Sequence, residues 1–181
     1  MLKEAIFISL SALCLVAVVQ NSYSHFKTKK ISTYQGGTIK ECEGKMAASL
    51  KKKLCQVRQY KLFETPDMYS HIDCCMKAVD FVEKDGTGDY HKLYELLNDI
   101  EKHRKHDINL ETCVGESMDA QANQRAYAFY KCLLKSTSAD AFKKAFDLRE
   151  LIKANKLPPG TRYSSEVDKQ MKKIDDNICK L

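Results

Sequence analysis

The sequence predicts a compact, disulfide-linked, all-α domain of about seven to eight helices. Three observations support this fold class. Apolar residues recur at helical spacing in almost every segment from Thr38 onward. No stretch alternates apolar and polar residues as a half-buried strand does, and nothing repeats at a fixed period. Several cysteines follow an export signal, which favours disulfides. The 181 residues, 44% of them hydrophobic, suit one globular domain.

The first 24 residues have the pattern of a secretory signal peptide. A basic N-terminus precedes an apolar run from Ala5 to Val19, and Ser22–Ser24 offers small residues at a cleavage site. The run of about 15 residues is too short for a comfortable membrane span. Residues 25–37 are polar and basic, and we expect a flexible N-terminal arm there. A single domain over residues 38–181 is expected to follow, secreted and monomeric, with no membrane partner.

The cysteines of an exported chain meet an oxidising compartment. Cys14 leaves with the signal, and an odd number of cysteines remains in the mature chain. At most three disulfides can form, and one thiol is left free or bonded to another molecule. No two cysteines stand in CxxC spacing, so a zinc site is not expected. The spacing alone leaves the pairing open.

The charge pattern argues against a nucleic-acid partner. The formal net charge is +6, but lysine and arginine are interleaved with acidic residues along the chain. A nucleic-acid-binding protein more often concentrates its basic residues in a block or a stripe.

The first two predicted helices cover Thr38–Lys45 and Ala47–Tyr60. The first carries Glu43, and the second has an apolar stripe that ends near Val57. Arg58 lies on the border of that stripe. Because a border arginine usually extends its charged head to solvent, this is the local expectation for Arg58.

A third helix is predicted over Asp67–Val82, directly after Pro66. His71 falls inside its apolar arc, where a lone histidine is more often structural than ligand-binding. Residues 83–88 then form a turn-rich loop. The loop lacks the acidic ligand order and distal glutamate of a calcium loop, so no metal is expected there.

A fourth helix is predicted over Asp89–Arg104, with Asp89 as its N-cap. His103 and His106 have basic neighbours, so we expect a solvated helix end there rather than a metal site. A loop and a short turn are expected around Cys113.

The fifth and seventh predicted helices are amphipathic. The fifth, Asn123–Lys135, places Tyr130 on its buried face, where the hydroxyl needs a hydrogen-bond partner. The seventh, Ser165–Leu181, follows a break at residues 158–160 and has Ser164 as its expected cap.

The sixth helix, Ala139–Leu157, carries two acids beside its apolar arc. Asp147 and Glu150 are three residues apart, so they share a face, and they lie between Phe146 and Leu151. A buried carboxylate must be paired, or it costs roughly several kcal/mol. Two solutions remain open at this point. A cationic ligand can pair with the acids, or nearby basic residues of the same helix can do so: Lys143, Arg149 and Lys153.

Common catalytic motifs are absent. The chain has no G-x-S-x-G, Walker, H-E-x-x-H or dinucleotide-binding glycine motif. The segment His71–Cys75 contains the residue types of secreted phospholipases, but in the wrong order. We therefore expect a protein that is not an enzyme and needs no cofactor.

Longer segments carry a family resemblance. Cys74 and Cys132 fit the third and sixth positions of the six-cysteine pattern of insect odorant-binding proteins. The chain is similar, over nearly all its mature length, to a branch of that superfamily, the short-form "D-seven" salivary proteins of blood-feeding mosquitoes. The segments that carry this resemblance are Leu54–Arg58, Gly88–Tyr94, Phe129–Thr137 and Phe142–Leu148.

The resemblance implies an odorant-binding-protein-like fold with a pocket for biogenic amines such as serotonin, histamine and noradrenaline. By position, the ligand ammonium would meet Asp147 and Glu150. The aromatic end would meet Arg58, His71 and Tyr130, with Glu43 at the edge of the pocket. Sequestering host amines would counter haemostasis and inflammation during blood feeding.

The resemblance also implies disulfides Cys42–Cys74, Cys55–Cys179 and Cys113–Cys132, with Cys75 left free. A rearranged or intermolecular bridge remains an alternative. Two other functions stay open as well. One is inhibition of the coagulation contact pathway by binding host coagulation proteins; the other is carriage of odorants or lipids, which predicts an apolar pocket without paired acids.

Overall fold

The computed structural model describes residues 37–102 and 105–180. The predicted signal peptide, nearly all of the expected N-terminal arm, and His103 lie outside these ranges. Within them the chain forms nine helices and one isolated β-bridge, between Val82 and Gly88. The helices are α1 Ile39–Gly44, α2 Ala48–Lys51, α3 Leu54–Arg58, α4 Pro66–Ala78, α5 Tyr90–Ile100, α6 His106–Asp119, α7 Arg125–Lys135, α8 Ala139–Lys153 and α9 Ser165–Cys179.

The all-α class is confirmed, and the helix count differs from the prediction at two places. The predicted helix Ala47–Tyr60 is divided into α2 and α3. No glycine or proline marks the division, so local sequence did not reveal it. The predicted loop around Cys113 is wrong, because this residue lies inside the 14-residue helix α6. The helical period was hard to recognise there because the buried face of α6 includes His106 and Ser117, which are polar.

His106 is also buried, which corrects the expectation of a solvated helix end. It begins α6 and has no exposed surface. Its Nδ1 lies 2.7 Å from the hydroxyl of Ser138, and its Nε2 lies 3.2 Å from the carbonyl oxygen of Glu101. The ring therefore links the start of α6 to the start of α8.

Of the two helix caps predicted from the sequence, one is confirmed. The side chain of Asp89 accepts a hydrogen bond from the backbone N–H of Lys92 at 3.1 Å, as predicted. Thr38 and Glu41 form a reciprocal capping box at the start of α1. Ser164 occupies the expected cap position of α9, but its side chain makes no capping hydrogen bond.

Helix α8 packs against two hydrophobic clusters. Phe142 and Phe146 belong to the larger cluster, which α4 and α7 also form. Leu148 and Leu151 pack instead with Val167 of α9 in a smaller cluster. Because α8 contributes to both clusters, its residues between positions 146 and 151 lie at the junction of the two.

Three disulfides join the helices. Cys42–Cys74 connects α1 to α4, Cys113–Cys132 connects α6 to α7, and Cys55–Cys179 connects α3 to α9. These are the pairs that the family resemblance implies, and Cys75 is free and buried. The third bridge closes a sequence separation of 124 residues and holds the last helix against the short helix that carries Arg58. No helix among the described residues is long and apolar enough to cross a membrane.

Candidate functional site

The six residues expected to bind a ligand line one internal cavity. Glu43 comes from α1, Arg58 from α3, His71 from α4, Tyr130 from α7, and the two acids from α8. Five helices therefore contribute these six residues to a single site. The remaining lining residues are mostly apolar and include Ile39, Val57, Ile72, Phe146 and Met171.

Asp147 and Glu150 do not pair with basic residues of their own helix. Lys143 lies near Asp140, at 3.8 Å, while both Arg149 and Lys153 bind Asp80. The local explanation for the two acids of α8 is therefore not what the structure shows. Their partners come from α3 and from the residues just after it.

Arg58 lies inside the protein, so the local expectation that its head extends to solvent is wrong. Its side chain is only 9% exposed. Its Nε donates to Glu43 Oε1 at 2.5 Å, and its Nη1 donates to Glu150 Oε2 at 2.8 Å. Burial alone would lower the pKa of Arg58, but the adjacent carboxylates of Glu150 and Glu43 outweigh it and raise the pKa. The guanidinium therefore stays charged.

Asp147 has a tyrosine as its partner. The hydroxyl of Tyr60 donates to Asp147 Oδ1 at 2.6 Å, and the ring of Tyr60 packs near those of Tyr130 and Phe146. Burial raises the pKa of Asp147 to about 7, although the hydrogen bond from Tyr60 acts in the opposite direction. The carboxyl is therefore close to half protonated at neutral pH.

Two other residues that line the cavity, His71 and Tyr130, are neutral. Burial, with a further contribution from the charge of Arg58, lowers the pKa of His71 to about 4, so the imidazole is uncharged at neutral pH. Its Nε2 lies 3.5 Å from the buried thiol of Cys75. Tyr130 is 2% exposed, and its ring packs edge-on against those of Phe142 and Phe146. An aromatic guest at this end would meet flat apolar surfaces with polar atoms at their edges.

Two residues of the site were missed by sequence reasoning. Tyr60 follows α3 in a left-handed conformation, with φ of +61°, and no periodic pattern predicts where such a side chain points. Asp175, on α9, also lines the cavity. It lies four residues after Met171, which faces the same cavity, and this spacing was the signal that could have identified it.

Asp175 brings a carboxyl oxygen with no hydrogen-bond partner. Its Oδ1 is buried, and its nearest basic contact among the described residues is Arg58 Nη1 at 3.8 Å. Burial raises the pKa of Asp175, and the charge of Arg58 reduces that effect. This oxygen is available to a donor from a ligand.

The site as a whole holds more negative than positive charge. The carboxyl groups of Glu43, Asp147, Glu150 and Asp175 surround the single guanidinium of Arg58. Burial raises the pKa of Asp147, Glu150 and Asp175, which means that each pays a desolvation cost when ionised. The described residues contain no group of histidine, cysteine and acidic side chains arranged to hold a metal ion. An organic cation would relieve this imbalance.

The cavity is small. Its volume is about 30 Å³, and a cavity needs roughly 10–15 Å³ on this measure to hold one water molecule. A larger cavity of about 340 Å³ adjoins it, and the two share Ile39, Glu43, Arg58 and Glu150 as lining residues. The side chain of Arg58 thus lies on the wall between them.

Known proteins resemble this chain in sequence and structure. The PBP/GOBP family model matches residues 25–136. Short form salivary protein D7R1 of Anopheles gambiae is 63% identical over 145 residues, which cover 80% of this chain and 88% of the relative. Short form salivary protein D7R4 of the same species is 45% identical over 175 residues, 97% of each chain. The crystal structure of the Anopheles gambiae D7R4–norepinephrine complex superposes with a TM-score of 0.75 and 51% identity, over 78% of this chain and 98% of that chain.

Proposed function

Because the chain belongs to the PBP/GOBP family and, within it, to the short-form D7 salivary proteins, we propose that it sequesters biogenic amines. The family consists of ligand-binding proteins, and the chain is a secreted salivary protein. Norepinephrine, which is noradrenaline, is the ligand in the crystal structure of the relative D7R4. Serotonin, histamine and noradrenaline are the candidates proposed for this chain.

One observation carries the proposal: among the described residues, the carboxyl groups that line the cavity outnumber the cations that line it. Arg58 donates hydrogen bonds to Glu43 and Glu150, and its Nη1 lies 3.8 Å from Oδ1 of Asp175. Asp147 has a neutral phenol as its partner, and Asp175 has an oxygen without one. A ligand ammonium would supply positive charge next to these acids. A general lipid carrier does not require acidic side chains in its cavity, so an amine fits the site better.

The proposed ligand orientation follows from which side chains of the cavity are acidic and which are neutral. The ammonium lies against Asp147 and Glu150 on α8. The ring lies toward Tyr130 and His71, and its hydroxyl or ring nitrogen meets polar atoms there. Arg58 and Glu43 close the remaining side of the site.

The energy available is sufficient for tight binding. Each charge-assisted hydrogen bond contributes about 1.5–3 kcal/mol, and ring burial adds about 25 cal/mol per Å² of apolar surface. Submicromolar binding needs roughly −8 kcal/mol. Because the free cavity is about 30 Å³, some of this energy must move side chains. The side chain of Arg58, on the wall shared with the larger cavity, is the one whose displacement would connect the two spaces.

Isothermal titration calorimetry with serotonin, histamine and noradrenaline tests the proposal on the mature protein. We expect heat and a one-to-one stoichiometry with at least one of them. The double variant Asp147→Ala/Glu150→Ala should lose binding and keep its helical circular dichroism. Asp140→Ala/Glu111→Ala is the matched control, because it removes the same side-chain types from exposed positions. Absence of heat with all three amines at micromolar protein would reject amine binding.

A further inference from the structure

A group of lysines around α2 and α3 has no acidic partner among the described residues. Lys51 ends α2, Lys52 and Lys53 lie in the turn that follows, and Lys61 comes shortly after α3. All four side chains are exposed. These four residues are called the lysine patch. Three of them are consecutive in the sequence, and the fold adds the fourth.

Acids near the patch in sequence are already engaged elsewhere. Glu64 accepts a hydrogen bond from Lys131 at 2.6 Å, and Asp67 accepts one from Ser49 at 2.5 Å. Some other basic side chains on this protein do have acidic partners, as in the Lys77–Asp73 pair. The patch is therefore a local excess of positive charge that the described protein does not neutralise.

An aromatic ring brings the two parts of the patch together. The ammonium of Lys53 lies 4.6 Å from the centre of the Phe63 ring, and that of Lys61 lies 5.9 Å from it. Both distances are within the range of a cation–π contact. Helix α3, between these lysines, is fixed to α9 by the Cys55–Cys179 disulfide. The positive charges are thus held together before any partner arrives.

We propose that the lysine patch binds a linear sulfated polysaccharide. Such a chain carries closely spaced anionic groups along its length, and neutralising them with lysines releases bound counterions, which favours association. Lysine ammonium groups are compact, mobile donors that adapt to sulfates at varying positions. None of the four lysines lines the amine cavity, so this surface is a second binding function.

The surroundings of the patch favour a polysaccharide over a bilayer. Membrane-surface helices add buried apolar side chains to the attraction between basic residues and anionic headgroups. The exposed large apolar side chains of the described residues are Ile108 and Met118, and both lie on α6. Phe63 is half-buried and lies against the lysines instead of projecting from the surface.

Heparin-affinity chromatography and surface plasmon resonance on immobilised heparin test this inference with the mature protein. The probe variant is Lys51→Gln/Lys52→Gln/Lys53→Gln/Lys61→Gln. The matched control is Lys84→Gln/Lys135→Gln/Lys169→Gln/Lys173→Gln, which removes the same charge from other exposed positions. At about 0.15 M salt, we expect the probe variant to bind about ten-fold or more weakly than the wild type. The control should stay within about two-fold of the wild type.

Three outcomes would overturn the inference. The first is that heparin does not retain the wild type at about 0.15 M salt. The second is that both quadruple variants lose heparin binding equally, which would indicate a response to net charge alone. The third is that the wild type binds vesicles of phosphatidylserine and phosphatidylcholine but does not bind heparin. Serotonin calorimetry on the probe variant keeps this test separate from the proposed amine function, because the cavity residues are unchanged in it.

Discussion

The hydroxyl of Tyr60 donates a hydrogen bond to Asp147, with 2.6 Å between the phenol oxygen and Oδ1. Tyr60 adopts φ of +61°, a conformation that costs a residue with a side chain roughly 1–2 kcal/mol. The fold keeps this conformation, and with it a donor that stabilises the ionised form of a buried acid. Tyr60 therefore helps to prepare Asp147 for a cationic guest.

Tyr60→Phe removes this hydrogen bond and keeps the ring. We expect the pKa of Asp147 to rise above about 7, so a larger fraction of the carboxyl is protonated at neutral pH. Serotonin affinity should fall about 3- to 10-fold at neutral pH and recover partly at about pH 8.5, where the carboxyl ionises. Calorimetry at both pH values measures this effect.

A matched control for this change is Tyr163→Phe, which removes a hydroxyl that binds Asp168 outside the cavity. It should leave serotonin affinity unchanged. An equal loss in Tyr60→Phe at neutral and alkaline pH would show that the hydroxyl touches the ligand and does not act through Asp147.

The pKa of Asp147 makes amine binding pH-dependent. Because an ammonium binds the carboxylate and not the protonated acid, affinity should rise as pH increases from about 6 to about 8, through the pKa of about 7. Binding at neutral pH should release part of a proton. Calorimetry in two buffers with different ionisation enthalpies measures that release directly.

The raised pKa of Asp147 also makes the stability of the protein depend on pH, in the opposite direction from amine affinity. A folded-state pKa raised from 3.8 to about 7 means that the folded protein holds more protons than the unfolded chain between these values. The contribution of Asp147 to stability is thus complete below about pH 4 and is lost as the pH rises through about 7. Asp147→Asn removes the charge and should raise the unfolding free energy at about pH 8 by on the order of 1–2 kcal/mol. A destabilised Asp147→Asn protein would contradict this account.

Arg58 is the cation that pairs with Glu43 and Glu150 in the site. Arg58→Met leaves Glu43 and Glu150 buried without a charged partner, so we expect a loss of about 3–5 kcal/mol in unfolding free energy at neutral pH. Adding Glu150→Gln should restore part of it, because one of the two unpaired charges is then gone. Urea unfolding of the two single variants and the double variant measures the coupling. A loss below about 1 kcal/mol in Arg58→Met would show that the pairs are solvent-screened.

Sequence periodicity predicted the position of those candidate-site residues that lie on periodic helices. The apolar arc of α8 placed Asp147 and Glu150 beside the core, and the structure puts both at the cavity wall. The local pattern gave the wrong direction for the Arg58 side chain. Only its tertiary contacts with α1 and α8 show that the guanidinium turns inward.

The remaining misses have the same physical origin. Tyr60 lies after a helix end, where one backbone dihedral decides the direction of the side chain. The helix around Cys113 has polar residues on its buried face, and their partners, Gly88 for Ser117 and Ser138 for His106, are distant in sequence. A pattern of hydrophobicity contains no information about such partners.

Cys75 provides a probe of the closed cavity. It is a free thiol, 3% exposed, that lines the cavity beside His71. Because burial raises the pKa of this thiol and excludes reagents, we expect no reaction with Ellman's reagent in the native protein and one thiol per chain after unfolding. Saturating serotonin should slow any residual native-state labelling further. Fast native labelling, or a disulfide-linked dimer on a non-reducing gel, would contradict a buried Cys75.

Asp175 and its neighbour Asp176 offer the sharpest comparison in the site. The buried Oδ1 of Asp175 has no hydrogen-bond partner and lies 3.8 Å from Arg58, whereas Asp176 is bound by Lys172 at 2.8 Å on the outside of α9. Asp175→Asn removes one of the charges that attract the ligand ammonium, so serotonin affinity should fall about 3- to 10-fold.

Asp175→Asn should not lower the thermal stability of the protein measured without serotonin. Burial raises the pKa of Asp175, which means that ionising it costs free energy, so Asp175→Asn should leave the melting temperature unchanged or higher. Asp176→Asn makes the same chemical change one residue away and should leave affinity unchanged. If the two variants lose affinity equally, the effect comes from the general field of α9, and the direct contribution of Asp175 to the amine site is refuted.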